Sequence, residues 1–415
     1  MNPVSPTFLT TIKSVAFQYE TEERVTRLLT TFRMMVNHAI WAGMQGGFRS
    51  RFSLIKAVYK DFKKYGLHSH YTLNACEVAA AILKNHRRNH RAPVAKKLFL
   101  KLDKQTYLLQ KETLRIPIKP REFLVLKLRL GDYQSRFLDD PSLTLGSITL
   151  TEDKVTVTFK KEEANGFEYR AVTAYDTNEL SLDGAFSDGS TVQAIHINLK
   201  KIARVRAFHF RRRRNLQARF AHCHRKLRTK MAECEKKEQR RVNAVLHIVT
   251  KRLITLAKQS EAEVVLEDLS GIRRTINKRK LNYSGRVRTS LPRSRHLKRR
   301  LNTWSFGRLH TFIQYKAAWE GVPLAFVPAR YSSRTCPKCG CLLSGEQDPS
   351  KRRIFVCPDC GWTCNRHLNA AFNLLKTQDE GRWFSPDRLL NEVMTSEPTR
   401  RKLSHNGLAE PTLTS

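Results

Sequence analysis

Apolar residues in the first 165 positions follow two different spacings, and together these predict a helical segment inserted into a β framework. Residues 7–18 alternate in the way a strand does. From Thr21 the spacing changes to every third or fourth position, which is typical of a helix with one buried face, and residues 73–83 repeat that pattern. Residues 98–161 return to alternating apolar and polar positions, which favour half-buried strands.

The second half of the chain predicts a mixed α/β unit that begins near Glu168. Two runs that read as strands, residues 171–176 and 263–267, each end in an acid, and residues 187–190 have the composition of a hairpin turn. A basic helical region covers residues 200–260. The remaining predicted segments are a basic loop at 277–300, a helix at 304–320, a strand at 323–327, a helix at 368–375 and a weakly ordered tail from residue 378.

The 415-residue chain is strongly basic, since 76 lysines and arginines against 37 acidic residues give a net charge of +39. Such a field repels itself unless a polyanion neutralises it, so nucleic acid is the first partner to expect. An anionic membrane surface is the rival, but no apolar run approaches the roughly 20 residues that span a bilayer. The length allows two or three domains.

Cysteine usage and the first residues indicate the compartment. Met1-Asn-Pro-Val-Ser-Pro lacks the charged start and apolar core of a secretory signal. The chain has nine cysteines, and four of them have metal-binding spacing, which suits a reducing compartment better than a disulfide framework. We therefore expect a cytoplasmic protein with no membrane partner.

Two Cys-x-x-Cys pairs, Cys336-Pro-Lys-Cys339 and Cys357-Pro-Asp-Cys360, carry the clearest chemical signal. Their spacing fits a zinc ribbon, in which two tight turns direct four soft thiolate ligands at one tetrahedral ion. A glycine directly follows each pair, where a backbone with positive φ lets the chain turn back. We predict a structural Zn²⁺ held by the four cysteines.

Asp176 and Glu267 end the two predicted strands of the second half. If those strands are neighbours, the carboxylates meet at one edge of the sheet. Oxygen ligands placed in this way hold Mg²⁺ in two-metal nucleases. Each acid taken alone also fits a solvated strand end or a helix cap, but the zinc-ribbon spacing and the basic charge favour a metal site.

The order of five short segments between residues 170 and 376 resembles a known family. The segments are Asp176-Thr-Asn, Val264-Val-Leu-Glu267-Asp-Leu, Tyr331-Ser-Ser-Arg-Thr-Cys336-Pro-Lys-Cys339-Gly, Cys357-Pro-Asp-Cys360-Gly and Asn369-Ala-Ala. This combination resembles the RuvC nuclease half of the transposon-encoded TnpB proteins and of the related miniature type V CRISPR effectors. The resemblance implies a nucleoid-associated prokaryotic protein that a guide RNA directs to double-stranded DNA.

The resemblance also implies an α/β multidomain fold. In that scheme residues 1–20 and 96–165 form a wedge β-barrel, and residues 21–95 form an inserted helical recognition lobe. Residues 166–330 and 364–377 form a RuvC-like domain of the RNase H fold, and residues 331–363 form an inserted zinc ribbon that contacts target nucleic acid. Residues 378–415 are expected to be a disordered tail. The N-terminal half matches the family in size and texture only.

The sequence departs from the family at one decisive position. The family places a third catalytic aspartate two residues before Asn-Ala, whereas this chain has His367 two residues before Asn369. Imidazole prefers softer metals than Mg²⁺, so the exchange weakens a site for a hard cation. Three interpretations stay open: His367 is a relic in an inactive site, it serves as a metal ligand or general base, or another acid such as Asp359 or Asp379 replaces the lost carboxylate.

Runs of basic residues without acids are the predicted nucleic-acid contacts. Several aromatic residues lie beside them, which favours phosphate binding with some base stacking over an ordinary solvated helix face. The residues are Arg211, Arg212, Arg213, Arg214, Lys278, Arg279, Lys280, Arg299 and Arg300. A channel of this kind suits an RNA–DNA heteroduplex, which is held by its backbone shape.

The favoured function is therefore RNA-guided DNA binding, with a RuvC-like site that His367 leaves inactive or weakened. One alternative is an active Mg²⁺-dependent DNA endonuclease that uses Asp176, Glu267 and His367. Another is a basic transposon accessory protein that binds nucleic acid without a guide. The sequence does not predict an oligomeric state.

Overall fold

The computed structural model describes residues 10–86, 92–162, 168–270, 280–281, 287–288, 299, 302–344, 353–377 and 382–388. The chain forms two compact units that divide between residues 163 and 164. Each unit contains helices and β-sheet, which confirms the predicted α/β class.

The N-terminal unit begins with a strand, continues with three helices and ends in a run of strands. Its elements are β1 (Thr10–Tyr19), α1 (Glu23–Gly46), α2 (Arg51–Phe62), α3 (His70–Lys84), β2 (Leu100–Leu102), β3 (Leu108–Gln110), β4 (Thr113–Lys119), β5 (Glu122–Arg129), α4 (Asp132–Leu138), β6 (Leu143–Leu150) and β7 (Lys154–Glu162). The strands form one antiparallel seven-stranded sheet in the order β2-β6-β7-β1-β5-β4-β3.

The apolar spacing explains the burial within this unit. Helix α1 buries Val25, Leu28, Leu29, Phe32 and Val36 on one face, since these positions recur with the helical period. Strand β5 alternates buried and exposed residues along most of its length, so one side of the sheet faces the core. The predicted helical insert in a β framework is thus the pattern that the structure shows.

The described part of the C-terminal unit combines a mixed sheet with α-helices and a small cysteine-rich segment. Its elements are β8 (Ala171–Thr177), β9 (Ser181–Ser187), β10 (Val192–Asn198), α5 (Lys200–Arg219), α6 (His224–Gln259), β11 (Ala262–Asp268), β12 (Lys280–Leu281), β13 (Val287–Arg288), α7 (Phe306–Glu320), β14 (Leu324–Pro328), β15 (Ile354–Val356), β16 (Thr363–Asn365) and α8 (Arg366–Lys376). The main sheet has the order β10-β9-β8-β11-β14.

Strand β8 lies at the centre of this sheet and is buried along its whole length. It pairs with β9 antiparallel and with β11 parallel, and β11 pairs in parallel with β14. Successive side chains of β8 point to opposite sides, so Ala174 packs in a core with α8 and the cysteine-rich segment, while Tyr175 packs in a core with α5, α6 and α7. Two cores therefore hold the central strand in place.

Two sequence predictions need correction. The basic region at 200–260 is two helices, because residues 220–223 separate α5 from α6. The prediction that the tail is disordered from residue 378 is wrong for residues 382–388. Trp383 and Phe384 are buried there, and the Phe384 ring stacks on Phe372 of α8 with a centroid distance of 5.1 Å. These two aromatic side chains attach the short segment to the core. The prediction missed it because most of the surrounding residues are polar.

Several residues of the predicted nucleic-acid contacts and of the predicted tail lie outside the described residues. Lys278, Arg279 and Arg300 lie outside the described residues, and only the backbone of Lys280 is described. The rest of the predicted tail, including Asp379, also lies outside them. Among the described residues, the helices are either too short or too polar to cross a bilayer.

Candidate functional site

Asp176 and Glu267 lie side by side at the ends of two parallel strands. Tyr175 of β8 is in register with Leu266 of β11, which brings the two following acids together. Both carboxylates are poorly accessible, with 9% of Asp176 and 5% of Glu267 exposed. Burial and the negative charge of Asp176 raise the pKa of Glu267 to about 9. In the absence of a cation, Glu267 therefore holds a proton and hydrogen-bonds to Asp176.

His367 reaches the same point from the start of helix α8. The side chain of Asn365 caps this helix by accepting a hydrogen bond of 2.9 Å from the backbone N–H of His367. The cap fixes the first turn and sets the imidazole against β8, where Nδ1 of His367 lies 2.8 Å from Oδ2 of Asp176. Histidine thus occupies the position of the expected third acid as a partner of the first one.

The three residues do not surround a common point. Within the described part of the chain, no group of three or more carboxylate, histidine or cysteine ligand atoms lies within 4.8 Å of one another apart from the four cysteines. Asp176 is instead the shared hydrogen-bond partner of Glu267 and His367. The arrangement keeps two carboxylate ligands for a hard cation, but it uses one oxygen of Asp176 for the imidazole.

Helix α8 also positions Glu267 indirectly, through the segment that precedes the first cysteine. The Ser332 hydroxyl donates a hydrogen bond of 3.0 Å to Oε1 of Glu267. Asn373 donates to the backbone carbonyls of Ser332 and Thr335, each at 2.7 Å, and the fully buried Asn369 donates to Thr335 at 2.8 Å. Asn373 and Asn369 of α8 therefore support the site by holding the backbone of residues 332–335, a function that the sequence analysis did not assign.

Asp183 is a further buried acid that the sequence analysis missed. It lies directly across from Asp176 in the antiparallel β8–β9 pair, and the Asn178 amide donates to both carboxylates, at 2.7 Å to Asp176 and 3.2 Å to Asp183. Burial acts to raise the pKa of Asp183, but hydrogen bonds from His196 and Ser181 outweigh it and lower that pKa overall. The same contact, 2.6 Å from Nδ1 of His196, raises the pKa of the histidine.

The alternation of Ser181, Leu182 and Asp183 before Gly184 was the available sequence signal for this acid. It would have placed Asp183 on a strand that follows β8. Of the two other acids proposed as replacements for the third carboxylate, only Asp359 is described, and it does not lie at the site. Asp359 contacts Cys341 in the cysteine-rich segment, and Asp379 is not described.

The four predicted zinc ligands converge on one point. The sulfur of Cys336 lies 3.6 Å from that of Cys360, the sulfur of Cys339 lies 3.5 Å from that of Cys357, and all four are within 4.8 Å of one another. A tetrahedral Zn²⁺ with bonds of about 2.3 Å separates its sulfur ligands by about 3.8 Å, so the cluster could hold zinc.

The backbone of the two turns supports this assignment. Gly340 and Gly361 have φ of 81° and 70°, as the turn geometry predicts. Each donates its N–H to the carbonyl of the first cysteine of its pair, at 2.9 Å to Cys336 and 3.1 Å to Cys357. Burial acts to raise the pKa of Cys357, but backbone N–H donors outweigh it and lower the pKa to about 7.

The described part of the predicted nucleic-acid interface lies on α5. Arg211, Arg212 and Arg214 are exposed, whereas Arg213 is half-buried and forms an ion pair with the buried Glu238 of α6. Arg206 also approaches Glu238, at 3.6 Å. Arg213 thus joins the two helices, and the other three arginines are exposed to solvent.

Arg299 is the described member of the second predicted basic group. Its guanidinium lies over the ring of Phe210 with a distance of 3.8 Å to the centroid. Phe210 belongs to α5, so Arg299 extends the basic surface of that helix.

Comparison with known proteins gives consistent similarities. A family model described as "Cas12f1-like, TNB domain" matches residues 306–374, and the "Uncharacterized protein MJ0013 family" model matches residues 28–117. The "TnpB-like protein MJ0751" of Methanocaldococcus jannaschii is 30% identical over 285 residues, which cover 67% of this chain and 96% of that protein. The "CRISPR-associated endodeoxyribonuclease Cas12f2" of Micrarchaeota archaeon is 26% identical over 141 residues, covering 32% of this chain and 23% of that protein.

Among solved structures, the chain is similar to the protein in the "Cryo-EM structure of the Cas12f1-sgRNA-target DNA complex". The TM-score is 0.38 and the sequence identity is 13%, over 88% of this chain and 98% of that one.

Proposed function

The chain belongs to the family of TnpB-like proteins and miniature type V CRISPR effectors, and from that premise we propose that it is an RNA-guided DNA-binding protein. In this proposal the mixed sheet of the C-terminal unit is a RuvC-like domain, and the cysteine-rich segment is its zinc ribbon. The N-terminal sheet and helices serve as wedge and recognition lobe. Binding at a guided target, for example over a promoter, is then the main activity, because the cutting site is altered.

The observation that carries the proposal is the 2.8 Å contact between His367 and Asp176. A third carboxylate at this position would add an anionic oxygen to the pair formed by Asp176 and Glu267. The imidazole instead uses an oxygen of Asp176 that a hard cation would need. The Asn365 side chain still caps the helix that carries His367, and the Ser332 hydroxyl still donates to Glu267. The difference from the family pattern is therefore the side chain at position 367.

The residues present fit Mg²⁺ incompletely. Asp176 and Glu267 would hold it, and the ion would polarise a phosphodiester and activate water when bound. The raised pKa of Glu267 means that this carboxyl gives up its proton to bind a cation. The four cysteines would hold Zn²⁺ in a structural role.

The basic surface supports the nucleic-acid part of the proposal. The exposed arginines of α5 and the excess of 39 positive charges suit the backbone of a guide RNA paired with one DNA strand. The paired Arg213 holds α5 against α6, so the exposed arginines lie on a fixed helix.

The test uses the full chain purified with its co-purifying RNA. That RNA is sequenced, and a plasmid matched to it is assayed for binding and for cleavage in Mg²⁺ and Mn²⁺. We expect guide-dependent binding without cleavage, and we expect His367→Asp to gain cleavage that is lost again when Asp176→Ala is added.

Two results would contradict the proposal. Cleavage by the unchanged chain that Asp176→Ala abolishes would identify an active endonuclease that uses His367. Heterogeneous RNA that salt removes, with binding that ignores the plasmid sequence, would identify a basic protein that needs no guide.

A further inference from the structure

Helix α2 exposes aromatic side chains on the face opposite its core contact. The buried face consists of Leu54, Val58 and Phe62, which recur every four residues. On the other side, 76% of Phe52 and 49% of Tyr59 are exposed to solvent. Neither ring contacts another ring or a cation within the described part of the chain, so the fold of this unit makes no use of them.

Lysines alternate with these aromatic rings. Phe52, Lys56, Tyr59 and Lys63 follow one another at intervals of four, three and four residues, which places them in one line along α2 and the helical residue that directly follows it, Lys63. We call these four residues the α2 stripe. Neither lysine pairs with an acid among the described residues, and the nearby Asp61 instead lies 3.6 Å from His38. Along the α2 stripe, exposed aromatic rings therefore alternate with exposed lysines that form no ion pair among the described residues.

We propose that the α2 stripe binds an unpaired stretch of the guide RNA, an inference that rests on the proposed function. Each ring offers a face on which a base can stack, and each lysine can contact a phosphate. Phe52 and Tyr59 are about 10 Å apart along the helix axis, which corresponds to about three steps of a stacked strand. A run of about four nucleotides spans both rings.

The charges argue against a second copy of the chain as the occupant. In a symmetric dimer the same surface meets itself, so Lys56 and Lys63 would face lysines of the other copy. Double-stranded DNA fits less well, because its bases are already stacked and leave no ring faces open. The guide RNA is the strand that the protein carries before it meets a target, which makes it the available partner.

The first test is photocrosslinking at 254 nm of the full chain with its co-purifying RNA, without target DNA. Tryptic cleavage after Arg51, Lys56 and Lys60 releases peptides 52–56 and 57–60, and each carries one ring of the stripe. We expect nucleotide adducts on both peptides. A defined guide RNA without adducts on these peptides overturns the inference, as do adducts that appear only after DNA is added. Heterogeneous RNA contradicts the proposed function instead, and adducts on the stripe would then still support an RNA surface.

The second test measures affinity for the same RNA after it is transcribed and added to RNA-free protein. Phe52→Ala with Tyr59→Ala should weaken binding roughly 10-fold or more with little change in salt dependence. Lys56→Gln with Lys63→Gln should reduce the slope of log affinity against log salt by about 1.4. The matched control, Lys104→Gln with Leu108→Ala, removes an exposed lysine of the turn before β3 and an exposed apolar side chain of β3, in the same unit.

Two results of the affinity test would overturn the inference. One is an aromatic double variant that binds RNA as well as the control does. The other is a shift from dimer to monomer in sedimentation with unchanged RNA affinity, which would identify a second copy as the partner. Circular dichroism checks that each variant is folded, which we expect because all of these side chains are exposed.

Discussion

Nδ1 of His367 lies 2.8 Å from Oδ2 of Asp176, so the first acid of the site is hydrogen-bonded to the residue that stands in place of the third. An aspartate at this position would repel Asp176 until a cation arrived. Histidine instead contacts Asp176 favourably without any cation. Asp176 therefore has a hydrogen-bond partner that a cation would otherwise replace.

His367→Asp should make the site depend on a cation. Three carboxylates repel one another, so we expect a lower melting temperature in EDTA and an upward shift with Mn²⁺ that exceeds the shift of the unchanged chain. Calorimetry should show binding of Mn²⁺ at least roughly 10-fold tighter. The control His367→Asn adds no charge, and an equal Mn²⁺ response from this variant would refute the electrostatic explanation.

Asn369→Ala should destabilise the C-terminal unit. The side chain is fully buried and donates to the Thr335 carbonyl at 2.8 Å, so its removal takes away one of the two side-chain donors to that carbonyl, beside Asn373, and opens a small cavity. The expected loss is about 1–3 kcal/mol in the free energy of unfolding, measured with denaturant. Asn215→Ala on the exposed side of α5 is the control and should change stability by less than about 0.5 kcal/mol. Equal effects would show that Asn369 has no special supporting role.

Zinc removal should unfold the cysteine-rich segment. Purified protein should contain one Zn²⁺ per chain by elemental analysis, and Cys357→Ser should lose it because a structural site needs all four ligands. Hydrogen exchange around residues 353–365 should then increase strongly. Cys223→Ser is the control, since that exposed thiol lies outside the cluster. Retention of zinc by Cys357→Ser would contradict the assignment.

Gly184→Ala and Gly307→Ala should have opposite effects. A Cβ atom at Gly184 would lie 2.5 Å from Cδ1 of Tyr175 and 2.7 Å from the carbonyl of Ala174, so β8 and β9 would have to move apart. We expect a loss of about 1–3 kcal/mol in unfolding free energy. At Gly307 a Cβ atom meets nothing within 4 Å, and alanine in a helix should be neutral or stabilising by up to about 1 kcal/mol. Thermal unfolding of both variants checks the sign.

His310 should make the protein less stable in mild acid. Burial lowers the pKa of this histidine to about 4, against about 6.5 in the unfolded chain. Between these values the unfolded chain binds a proton that the folded chain does not. Stability therefore falls as the pH drops from about 6.5 towards 4, by up to about 3 kcal/mol. Above pH 7 the effect is absent.

The measurement for His310 is denaturant unfolding at pH 5 and pH 7.5. His310→Gln should reduce the difference in stability between the two pH values. His224→Gln, an exposed histidine at the start of α6, should leave it unchanged. A pH dependence that persists in His310→Gln would show that other groups cause it.

The local sequence pattern was enough to predict the strands that carry Asp176 and Glu267 and the meeting of the four cysteines. Each depends on a few adjacent residues, such as an apolar run that ends in an acid. Asp183 could not be predicted in the same way, because its position opposite Asp176 depends on the length of the β8–β9 turn. Ser332 is harder still, since the side chain that fixes its backbone comes from Asn373, 41 residues later.

The break between α5 and α6 shows a different limit of the sequence. Both sides of residues 220–223 carry the same basic helical composition, and the reversal is stabilised by the buried contact of Glu238 with Arg213. The charge run suggested a surface without acids, yet the acid that pairs with it lies in the next helix. Contacts of this kind exist only after the chain has folded back on itself.

The Asn365 cap and the helix behind it keep residue 367 at the carboxylates whichever side chain stands there. Codons for histidine and aspartate differ only in their first base. A single point mutation in the gene would therefore place an acid in a turn already shaped to receive it, and another would remove it again. If the proposed function is right, related proteins that only bind DNA and proteins that also cut it would differ by one base at this codon. Selection could then exchange the two activities without changing the rest of the fold.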